Sequence, residues 1–577
     1  MNAAGLLQHY ERFADALGAV AKLRRLILDL AVRGRLLPQE ASDEPAEELI
    51  KKNAIEKMRL LDTGKIKRSV ADPADIVEAP FAIPCNWAWT RLGLIGDWGS
   101  GSTPPRGNSE LYGGGIMWLK SGELNDNRGL ATSEESVTGI AIAQGSFRMN
   151  RPGDILIAMY GATIGKVAIL AESAVTNQAV CGCTPFGGVF NQFLFLFLLS
   201  YRDKFRLASE GGAQPNISKA KITSTPFALP PLAEQHRIVA KVDELMALCD
   251  QLEAARAERE ARRDLLMAAS LARLNTPDPE TFHGDARFAL GALPSLTARP
   301  DQIKQIRDAI LNLAVRGKLV RQDPTDEPST TLAERAKAAK IQTIAREGLR
   351  ERTPLLATLR NDLKFDYPVT WEMVTFDDVF VIVSGVTKGQ KVAANEAVEA
   401  PYLRVANVQR GRLDLSIVKL IVVRESDIQK YGLRTGDVLM TEGGDWDKLG
   451  RAAIWRDEIQ GCIHQNHVFR VRPASTDIAP EWVVAYTNSP LGRAFFENAA
   501  KQTTNLASIN LTQLRSCPLP LPPLAEQRRI MAKIDELMAL CDRLQASLET
   551  SDATRSRLLD ALLHEALAPA LEMQEAA

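Results

Sequence analysis

The stretch Pro230–Leu252, PPLAEQHRIVAKVDELMALCDQL, is repeated 292 residues later as Pro522–Leu544, PPLAEQRRIMAKIDELMALCDRL. The two copies agree at 19 of 23 positions. A second pair of similar segments, Leu23–Pro45 and Ile306–Pro328, lies 283 residues apart and shares LAVRG and a final DEP. The chain is therefore an internal duplication of a unit of about 290 residues, which predicts a molecule with pseudo-twofold symmetry.

The two copies are unevenly alike. Their helical segments match closely, whereas the segments between them share only short motifs such as Arg151-Pro-Gly-Asp154 with Arg434-Thr-Gly-Asp437. Glycine followed by aspartate is typical of a turn that leads into a strand. We expect the two middle segments to share a fold but not a surface. A fixed frame with two different recognition modules fits this pattern, and so does an old duplication whose loops have drifted.

Composition places the chain among ordinary globular proteins, with 577 residues, 45% hydrophobic residues and 24% charged residues. We expect a cytoplasmic protein without a membrane partner. No secretory signal pattern begins the sequence. The most apolar run, Phe193–Leu199, is far shorter than the roughly 20 residues that span a bilayer.

The charge balance gives no general attraction to nucleic acid, because the net charge is −1. Residues 81–228 carry 12 Lys/Arg and 10 Asp/Glu, and residues 366–520 carry 17 and 18. Any contact with DNA must therefore come from local patches of positive charge.

The motifs that would indicate catalysis or metal binding are incomplete. Cys181-x-Cys183 lacks the spacing and the second pair of a zinc site, and His464 with His467 lacks a third ligand. Gly161–Lys166 resembles a phosphate-binding loop but has one residue too few between its glycines. The sequence predicts no catalytic residue, no metal and no cofactor on this chain.

Each copy is predicted to begin with a helical hairpin. The first helix should stop at Gly34 in one copy and at Gly317 in the other, since glycine is the usual left-handed residue at a helix end. Asp43 is expected to cap the second helix, which has acidic residues in its first turn and should run to about Leu61.

The repeated stretch predicts a long helix with a continuous apolar seam. The helix should run from about Leu232 to Leu274, roughly 65 Å at about 1.5 Å per residue. Heptad spacing of this kind calls for a partner helix along the seam. The seam residues are Ile238, Val242, Leu245, Cys249 and Leu252 in the first copy, and Ile530, Ile534, Leu537, Cys541 and Leu544 in the second. Cys249 and Cys541 are interpreted as small buried hydrophobic residues.

The predicted fold class is α+β, with two α/β modules separated by long antiparallel coiled-coil-like helices. The predicted segments are an N-terminal helical hairpin with its linker (1–78), a first module (79–229), a central helical spacer (230–365), a second module (366–521) and a C-terminal helical region (522–577).

This order of elements resembles the specificity (S) subunit of type I restriction-modification systems. The resemblance is carried by LAVRG with DEP, P-x-x-W, R-x-G-D before an apolar strand, and the PPLAEQ helix, all occurring twice and covering essentially the whole chain. It implies that the modules are target recognition domains that each bind one half of a split DNA site. It also implies that the helices fix the spacing between the two halves.

The resemblance further implies the partners, and that this chain is not itself an enzyme. Double-stranded DNA and two methyltransferase subunits carrying S-adenosylmethionine are expected, and full complexes add restriction subunits that use ATP and magnesium. Methylation of adenine N6, adenine flipping and DNA cleavage would belong to those partners.

Residues that contact DNA are expected at strand ends and turns of the modules, where Arg, Lys, Asn and Gln can reach base edges and phosphates. In the first module the candidates are Lys120, Ser121, Tyr160, Lys166, Asn177 and Gln178. In the second module they are Arg404, Asn407, Arg410, Arg412, Lys448, Arg451, Gln465, Asn466 and His467. The alternative for each is an amide that holds its own loop or a charge that is merely solvated.

A second function class stays open at this point. A symmetric protein-protein scaffold, whose modules bind peptides or subunits without contacting DNA, would also have two similar copies and nearly neutral modules. A continuous basic track would favour DNA, and isolated apolar grooves would favour peptides.

Overall fold

The structure is a computed structural model of the chain. It describes residues 16, 18–66, 79–209, 215–275, 284, 288, 297–349, 353, 367–390, 392–444, 446–502 and 507–567. Two units are distinguished: residues 1–260 with 551–577 form unit 1, and residues 261–550 form unit 2. Of the predicted segment boundaries, the one between residues 365 and 366 lies outside the described residues, and the one after residue 78 lies at their edge.

The helices follow the predicted order of hairpin, module and long helix in each copy. They are α1 (Ala19–Val32), α2 (Ala46–Asp62), α3 (Gly139–Gln144), α4 (Asn191–Ser200), α5 (Arg202–Ser209), α6 (Lys219–Thr223), α7 (Leu232–Asn275), α8 (Pro300–Val315), α9 (Ser329–Arg346), α10 (Phe376–Val379), α11 (Glu425–Tyr431), α12 (Pro480–Asn488), α13 (Pro490–Ala499), α14 (Leu511–Arg515) and α15 (Leu524–Leu567).

The strands all lie in the two modules. The first module holds β1 (Ala88–Arg91), β2 (Gly96–Ser100), β3 (Tyr112–Leu119), β4 (Asn127–Leu130), β5 (Ser136–Val137), β6 (Ile155–Ala158), β7 (Val167–Leu170), β8 (Ala174–Thr176), β9 (Val180–Pro185) and β10 (Pro226–Leu229). The second module holds β11 (Glu372–Thr375), β12 (Phe380–Ser384), β13 (Ala397–Leu403), β14 (Val408–Gln409), β15 (Arg412–Leu413), β16 (Lys419–Arg424), β17 (Val438–Thr441), β18 (Gly443–Gly444), β19 (Ala452–Ile454), β20 (Ile463–His464), β21 (Val468–Pro473), β22 (Lys501–Gln502), β23 (Ala507–Ser508) and β24 (Pro518–Leu521).

In unit 1 the first and last strands of the module pair with each other. β1 and β10 run antiparallel, with Ala88 opposite Leu229. Between them lie a five-stranded sheet in the order β2-β9-β6-β7-β4 and a three-stranded sheet in the order β5-β3-β8. The module is therefore closed at the point where it joins the helical frame.

Unit 2 repeats this plan with additional short strands. β11 and β24 pair antiparallel, with Glu372 opposite Leu521. The two main sheets have the orders β12-β21-β17-β19 and β16-β13-β20. The shared fold expected for the two middle segments is confirmed by this correspondence of sheets.

The apolar run at Phe193 forms the centre of unit 1 rather than a membrane segment. Residues 193–198 of α4 are buried on all sides. Their core cluster also contains Leu23 of α1, Ile238 of α7 and Leu559 of α15, so hairpin, module and long helices share one core. Among the described helices, none combines the length and apolar composition that crossing a bilayer requires.

The two glycines predicted to end the first hairpin helices do so. Gly34 has φ +69° and Gly317 has φ +67°, each directly after the last turn of its helix. A Cβ on Gly34 would lie 2.5 Å from Pro84 Cγ, and one on Gly317 would lie 2.3 Å from Pro368 Cγ. Only glycine therefore suits both the backbone angle and the close packing of the module's first residues.

The expectation that Asp43 caps α2 is wrong. The N-cap residue is Pro45, and no side chain caps this helix end. Asp43 instead accepts two hydrogen bonds from the Arg237 guanidinium of α7, at 2.5 and 3.2 Å. In unit 2, Asp326 accepts from Arg529 at 2.7 and 3.1 Å in the same way. A long-range ion pair takes the place of the local cap in both units.

The Glu-Gln pair of the PPLAEQ motif is buried in each unit and joins three elements. Trp87 Nε1 donates to Glu234 Oε2 at 2.9 Å, and Gln39 Nε2 donates to Glu234 Oε1 at 2.7 Å. In unit 2, Trp371 Nε1 donates to Glu526 Oε2 at 3.0 Å, and Gln322 donates to the other oxygen. Burial raises the pKa of both glutamates, since it disfavours their charged forms.

The neighbouring glutamine ties the long helix to the module backbone. In unit 1, Phe190 N donates to Gln235 Oε1 at 2.7 Å, and Gln235 Nε2 donates to Gly188 O at 3.1 Å. In unit 2, Ala479 N donates to Gln527 Oε1 at 3.0 Å, and Gln527 Nε2 donates to Asp477 O at 3.4 Å. Every one of these module partners is a main-chain atom.

The long helix has the predicted length, and most of its seam is buried. α7 spans 44 residues, as does α15. Eight seam residues are buried, namely Ile238, Val242, Leu245, Cys249, Ile530, Ile534, Leu537 and Cys541, and Leu252 and Leu544 are half-buried. Each buried set belongs to the core of its own unit. The antiparallel coiled-coil-like packing of the long helices and the pseudo-twofold symmetry stay predictions.

The end of α15 packs on α1 and the residues just after it, within unit 1. Lys22 Nζ lies 2.5 Å from Asp560 Oδ1, and Arg35 Nη1 donates to Leu567 O at 2.8 Å. The predicted position of the C-terminal helix beside the N-terminal hairpin is thereby confirmed for this unit.

Replacing Glu234 with alanine should lower the free energy of unfolding of unit 1 by about 2–4 kcal/mol, because the buried Trp87 and the half-buried Gln39 lose the acceptor of their hydrogen bonds. The exposed Glu244→Ala on the same helix should change it by less than about 0.5 kcal/mol. Urea denaturation together with hydrogen exchange of the α7 amides measures both. Equal effects of the two substitutions would show that the buried carboxylate is not what joins these elements.

Candidate nucleic-acid interface

In unit 1, two parallel strands bring predicted DNA-contacting residues to one edge of the module. β3 and β8 pair in parallel, with Trp118 opposite Val175. Lys120 follows β3 and Asn177 follows β8, and Asn177 N donates to Leu119 O at 3.0 Å. The structure thus places Lys120 and Ser121 beside Asn177 and Gln178.

These side chains are partly held by their own loops. Lys120 Nζ lies 2.7 Å from Glu135 Oε1 and 3.4 Å from Glu134 Oε2. Asn177 Oδ1 accepts from Ala179 N at 3.1 Å. Ser121 is half-buried in a short 3-10 helix, and the exposed Gln178 accepts a hydrogen bond from the Thr103 hydroxyl.

The loop after β6 reaches the same edge. Met159 N donates to Ala179 O at 2.8 Å, next to Asn177 and Gln178. Tyr160, the second residue of this loop, is 44% exposed. Lys166 at the end of the loop donates to Asn125 Oδ1 at 2.8 Å.

Unit 2 has the same arrangement with different side chains. β13 and β20 pair in parallel, with Tyr402 opposite Ile463. Arg404 follows β13, and Gln465 follows β20 with its N–H donating to Leu403 O at 2.9 Å. The two modules therefore share a loop edge built on a parallel strand pair.

Asn407 and Arg404 hold the loop after β13. The buried Asn407 accepts from Arg404 N at 2.9 Å and donates to Asp414 O at 2.8 Å and Ile417 O at 3.0 Å. Arg404 Nη2 donates to Ile417 O at 3.3 Å. The Asn407 amide is thus occupied by backbone partners.

Several cations gather around the β14–β15 turn of unit 2. Gly411 N in this turn donates to Ala452 O at 2.9 Å, beside Arg451. Arg451 Nη1 donates to Gln409 Oε1 at 2.8 Å, and Arg410 Nη2 approaches Leu449 O at 3.5 Å. Arg412 is exposed on β15, and Lys448 lies in the loop after β17. Four predicted residues, Arg410, Arg412, Lys448 and Arg451, are therefore neighbours.

The remaining predicted residues of unit 2, Asn466 and His467, follow Gln465 in the loop after β20. Asn466 N donates to Val386 O at 2.9 Å, and Glu442 N donates to His467 O at 3.0 Å. The His467 ring contacts Glu442 Oε2 at 2.5 Å through Nδ1.

Two features of the edge were missed at the sequence level. Trp446 in the loop after β17 is 46% exposed, and it matches the exposed Tyr160 in the corresponding loop of unit 1. Ser-Gly-x-Thr also occurs at Ser100–Thr103 and again at Ser384–Thr387, starting at the last residue of β2 and of β12. The repetition of this motif at an offset of 284 residues could have identified these loops from the sequence.

The two close histidines have different environments. His464 is fully buried, and its Nδ1 lies 2.6 Å from Val468 O, whereas His467 is exposed. Burial lowers the pKa of His464 to about 3. Across the part of the chain that the structure describes, no group of three or more His, Cys, Asp or Glu side chains could hold a metal ion.

The predicted turns at Gly153 and Gly436 are confirmed. Both glycines have positive φ, +89° and +90°. The aspartate after each is buried and accepts from the backbone N–H of the arginine that opens the turn, Asp154 from Arg151 at 2.9 Å and Asp437 from Arg434 at 2.8 Å. These aspartates serve the turns that start the central strands β6 and β17.

The edge as a whole offers hydrogen-bonding side chains on rigid supports, with acidic partners for several of its cations. Arginine, lysine and amide side chains in such positions can bond base edges and phosphates. Glu135 neutralises part of this charge in the first module, because it lies beside both Lys120 and Arg106.

The comparisons with known proteins agree with this geometry. The family model of the type I restriction modification DNA specificity domain matches residues 84–259 and 368–550. The chain therefore belongs to this family, and the resemblance predicted from the sequence is confirmed. The two matches begin at the Pro-x-x-Trp motifs at Pro84 and Pro368 and end within the long helices.

Curated relatives cover nearly the whole chain. It is 27% identical to the EcoEI type I restriction enzyme specificity subunit of Escherichia coli, over 95% of this chain and 94% of that protein. It is 28% identical to the EcoAI specificity subunit of the same species, over 95% and 94%. Among solved structures, the HsdS subunit from Thermoanaerobacter tengcongensis aligns with a TM-score of 0.40 and 18% identity, over 85% of this chain and 99% of that one. A chain from a study of complex assembly in the type I R-M system gives 0.43 and 19%, over 84% and 99%.

Unit 2 should lose stability in acid because of His464. Its folded pKa of about 3 lies below the unfolded value of about 6.5, so the unfolded state takes up the proton first as the pH falls through 6.5. At pH 4.5 this single group should cost about 2–3 kcal/mol relative to pH 7.5. Urea unfolding of the wild type and of His464→Gln at both pH values isolates the effect. If His464→Gln lost as much unfolding free energy between pH 7.5 and pH 4.5 as the wild type does, His464 would not be the cause of the acid sensitivity.

Proposed function

We propose that this chain is the DNA-specificity subunit of a type I restriction-modification complex, in which each module binds one half of a split DNA site. The observation that carries the proposal is the shared loop edge. It lies at equivalent strand ends in two modules that both match the DNA specificity domain family.

The two half-sites should differ in sequence. The backbone that supports the edge is the same in both modules, whereas the side chains on it are not. Lys120 and Asn177 stand in one module where Arg404 and Gln465 stand in the other. Direct readout of DNA bases depends on the hydrogen-bond donors and acceptors that the side chains present. Different side chains at equivalent backbone positions of the two modules should therefore select different bases.

Two methyltransferase subunits would dock on the long helices, one per repeat. Buried contacts within each unit explain why the two copies of the long helix share Glu234, Gln235 and the seam residues. They do not explain why the two copies are also identical at exposed positions. Ala233, Ala240 and Ala247 are exposed and stand seven residues apart, and Ala525, Ala532 and Ala539 repeat them exactly. Two copies of one partner need two equivalent surfaces, and small exposed residues allow a partner to approach the helix closely.

The chemistry would lie on the partners. S-adenosylmethionine would be bound by the methyltransferase subunits, which would flip and methylate adenine at N6, and restriction subunits with ATP and magnesium would cut DNA. This chain would contribute binding and spacing, and the long helices would set the distance between the half-sites. The order of elements in the duplicated chain predicts an antiparallel, pseudo-twofold arrangement of those helices.

A symmetric protein-protein scaffold is the rival function. Its support is the apolar outer side of the β13–β16 pair, where Leu420 and Val422 are exposed. The strand of the first module that corresponds to β16 is β5, which is only Ser136–Val137, and its Val137 is buried. A scaffold that binds the same partner twice would need the feature in both modules, so the observations favour DNA.

Co-expression of this chain with its methyltransferase subunit, in a host without other adenine methylation, should produce methylated adenines in one bipartite motif with a fixed gap. Sequencing that detects methyladenine across the genome measures this. Omission of the chain should abolish the motif. A stable complex that leaves the DNA unmethylated would favour the scaffold.

Ala240→Arg should remove one of two methyltransferase subunits from the complex, and Ala240→Arg with Ala532→Arg should remove both. Each arginine would block one helix surface that faces the partner. Native mass spectrometry gives the stoichiometry directly. Ala257→Arg is the matched control, since Ala257 is exposed on the same helix and its repeat counterpart is Glu549. Two bound subunits in the single Ala240 variant would place the docking surface elsewhere.

A further inference from the structure

The Ser-Gly-x-Thr loops form a further segment of the loop edge in each module. A Cβ on Gly101 would lie 2.0 Å from Thr176 O, and one on Gly385 would lie 2.0 Å from His464 O. The next residue bonds the same carbonyl in each module, since Ser102 N donates to Thr176 O and Val386 N donates to His464 O, both at 2.8 Å. Each loop is therefore clamped against the strand end that precedes Asn177 or Gln465.

In unit 1 this loop carries Arg106 on a rigid support. Two aromatic residues fix the loop backbone: Trp118 Nε1 donates to Ser102 O at 3.0 Å, and the Tyr112 hydroxyl donates to Pro104 O at 2.8 Å. The same two rings lie under the Arg106 guanidinium, with Cζ 5.2 Å from the Tyr112 centroid and 5.1 Å from the Trp118 centroid. Pro104 and Pro105 stiffen the approach to Arg106.

Glu135 fixes the orientation of the guanidinium. Its Oε2 lies 2.7 Å from Arg106 Nη1, and its Oε1 lies 2.7 Å from Lys120 Nζ. The Arg106 side chain is still 58% exposed. Within the described ranges, the hydrogen bond of this guanidinium is made by Nη1, which leaves Nε and Nη2 available to a ligand.

We propose that Arg106 recognises a guanine in the half-site bound by the first module, and that Glu135 is its positioning residue. Guanine presents O6 and N7 as paired acceptors in the major groove, which two parallel N–H donors of an arginine match. An arginine already stacked and bonded loses little conformational freedom on binding. The inference rests on the proposed function and names one contact within it.

The second module lacks this arginine. Its Ser-Gly-x-Thr loop continues with Lys388, Gly389 and Gln390, all exposed. The contact should therefore belong to one half-site only, and the other half-site serves as an internal control for folding and assembly.

The test uses the full-length chain in complex with its methyltransferase subunit. Wild type, Arg106→Ala, Arg106→Lys and Glu135→Gln are incubated with double-stranded DNA libraries in which one half-site of the wild-type motif is randomised and the other is kept. Methylated products are then sequenced. Arg151→Ala is the control, because Arg151 is an exposed arginine at the opposite end of β6 from Tyr160.

The expected result is loss of guanine preference at one position of one half-site. Arg106→Ala should reduce the preference for guanine over the other bases by about 10-fold or more. Arg106→Lys should reduce it similarly, because lysine keeps the charge but not the planar pair of donors. Glu135→Gln should reduce it less and at the same position, an effect that general destabilisation would not confine to one base. The other half-site and the Arg151 variant should match wild type.

Other outcomes separate the two levels of the proposal. A wild-type complex that methylates no bipartite motif would overturn the proposed function. A clear wild-type motif that Arg106→Ala leaves unchanged, or that has no guanine in the affected half-site, would overturn the inference alone. Uniformly weaker methylation of all sequences by Arg106→Ala, with Arg106→Lys near wild type, would make Arg106 a phosphate contact and overturn base recognition.

Discussion

The structure depends on a buried carboxylate that holds three elements at one point in each unit. Glu234 accepts from the tryptophan that opens the module and from a glutamine of the hairpin, and Glu526 does the same in the other copy. Burial without donors would leave such a group costly in either protonation state. With its donors in place, the buried glutamate fixes the orientation of the module on the helices. The loop edge, as part of the module, is held in the same orientation.

Local sequence patterns predicted the ends and lengths of the helices well. Features that depend on contacts between residues far apart in the sequence were not predicted. Glycine at a helix end and heptad spacing act within a few turns, so Gly34, Gly317 and the length of α7 followed from the sequence. The role of Asp43 did not, since a local capping preference competes with Arg237, which lies almost two hundred residues away. The position of Lys120 beside Asn177 required the parallel pairing of β3 with β8, which no local pattern specifies. Arg106 was missed because its support consists of Tyr112, Trp118 and Glu135, which surround it only in the folded module.

Several cations of the modules lie beside an acidic side chain. Lys120 and Arg106 share Glu135, and His467 contacts Glu442. A phosphate must compete with these internal partners, so binding by charge alone gains little. A surface of this kind disfavours non-specific attraction to DNA and leaves base contacts to supply more of the affinity.

The glutamine beside the buried carboxylate holds the module only through main-chain atoms. Gln235 bonds the backbone at residues 188 and 190, and Gln527 bonds the backbone at residues 477 and 479. A peptide group is the same whatever side chain it bears, so the frame imposes almost no sequence requirement at these points. Substitutions at residues 188, 190, 477 and 479 can therefore change the side chains there while the glutamine keeps its backbone partners. The side chains that must match the helices lie elsewhere, at the Trp87–Glu234 bond and in the core that the module shares with the helices.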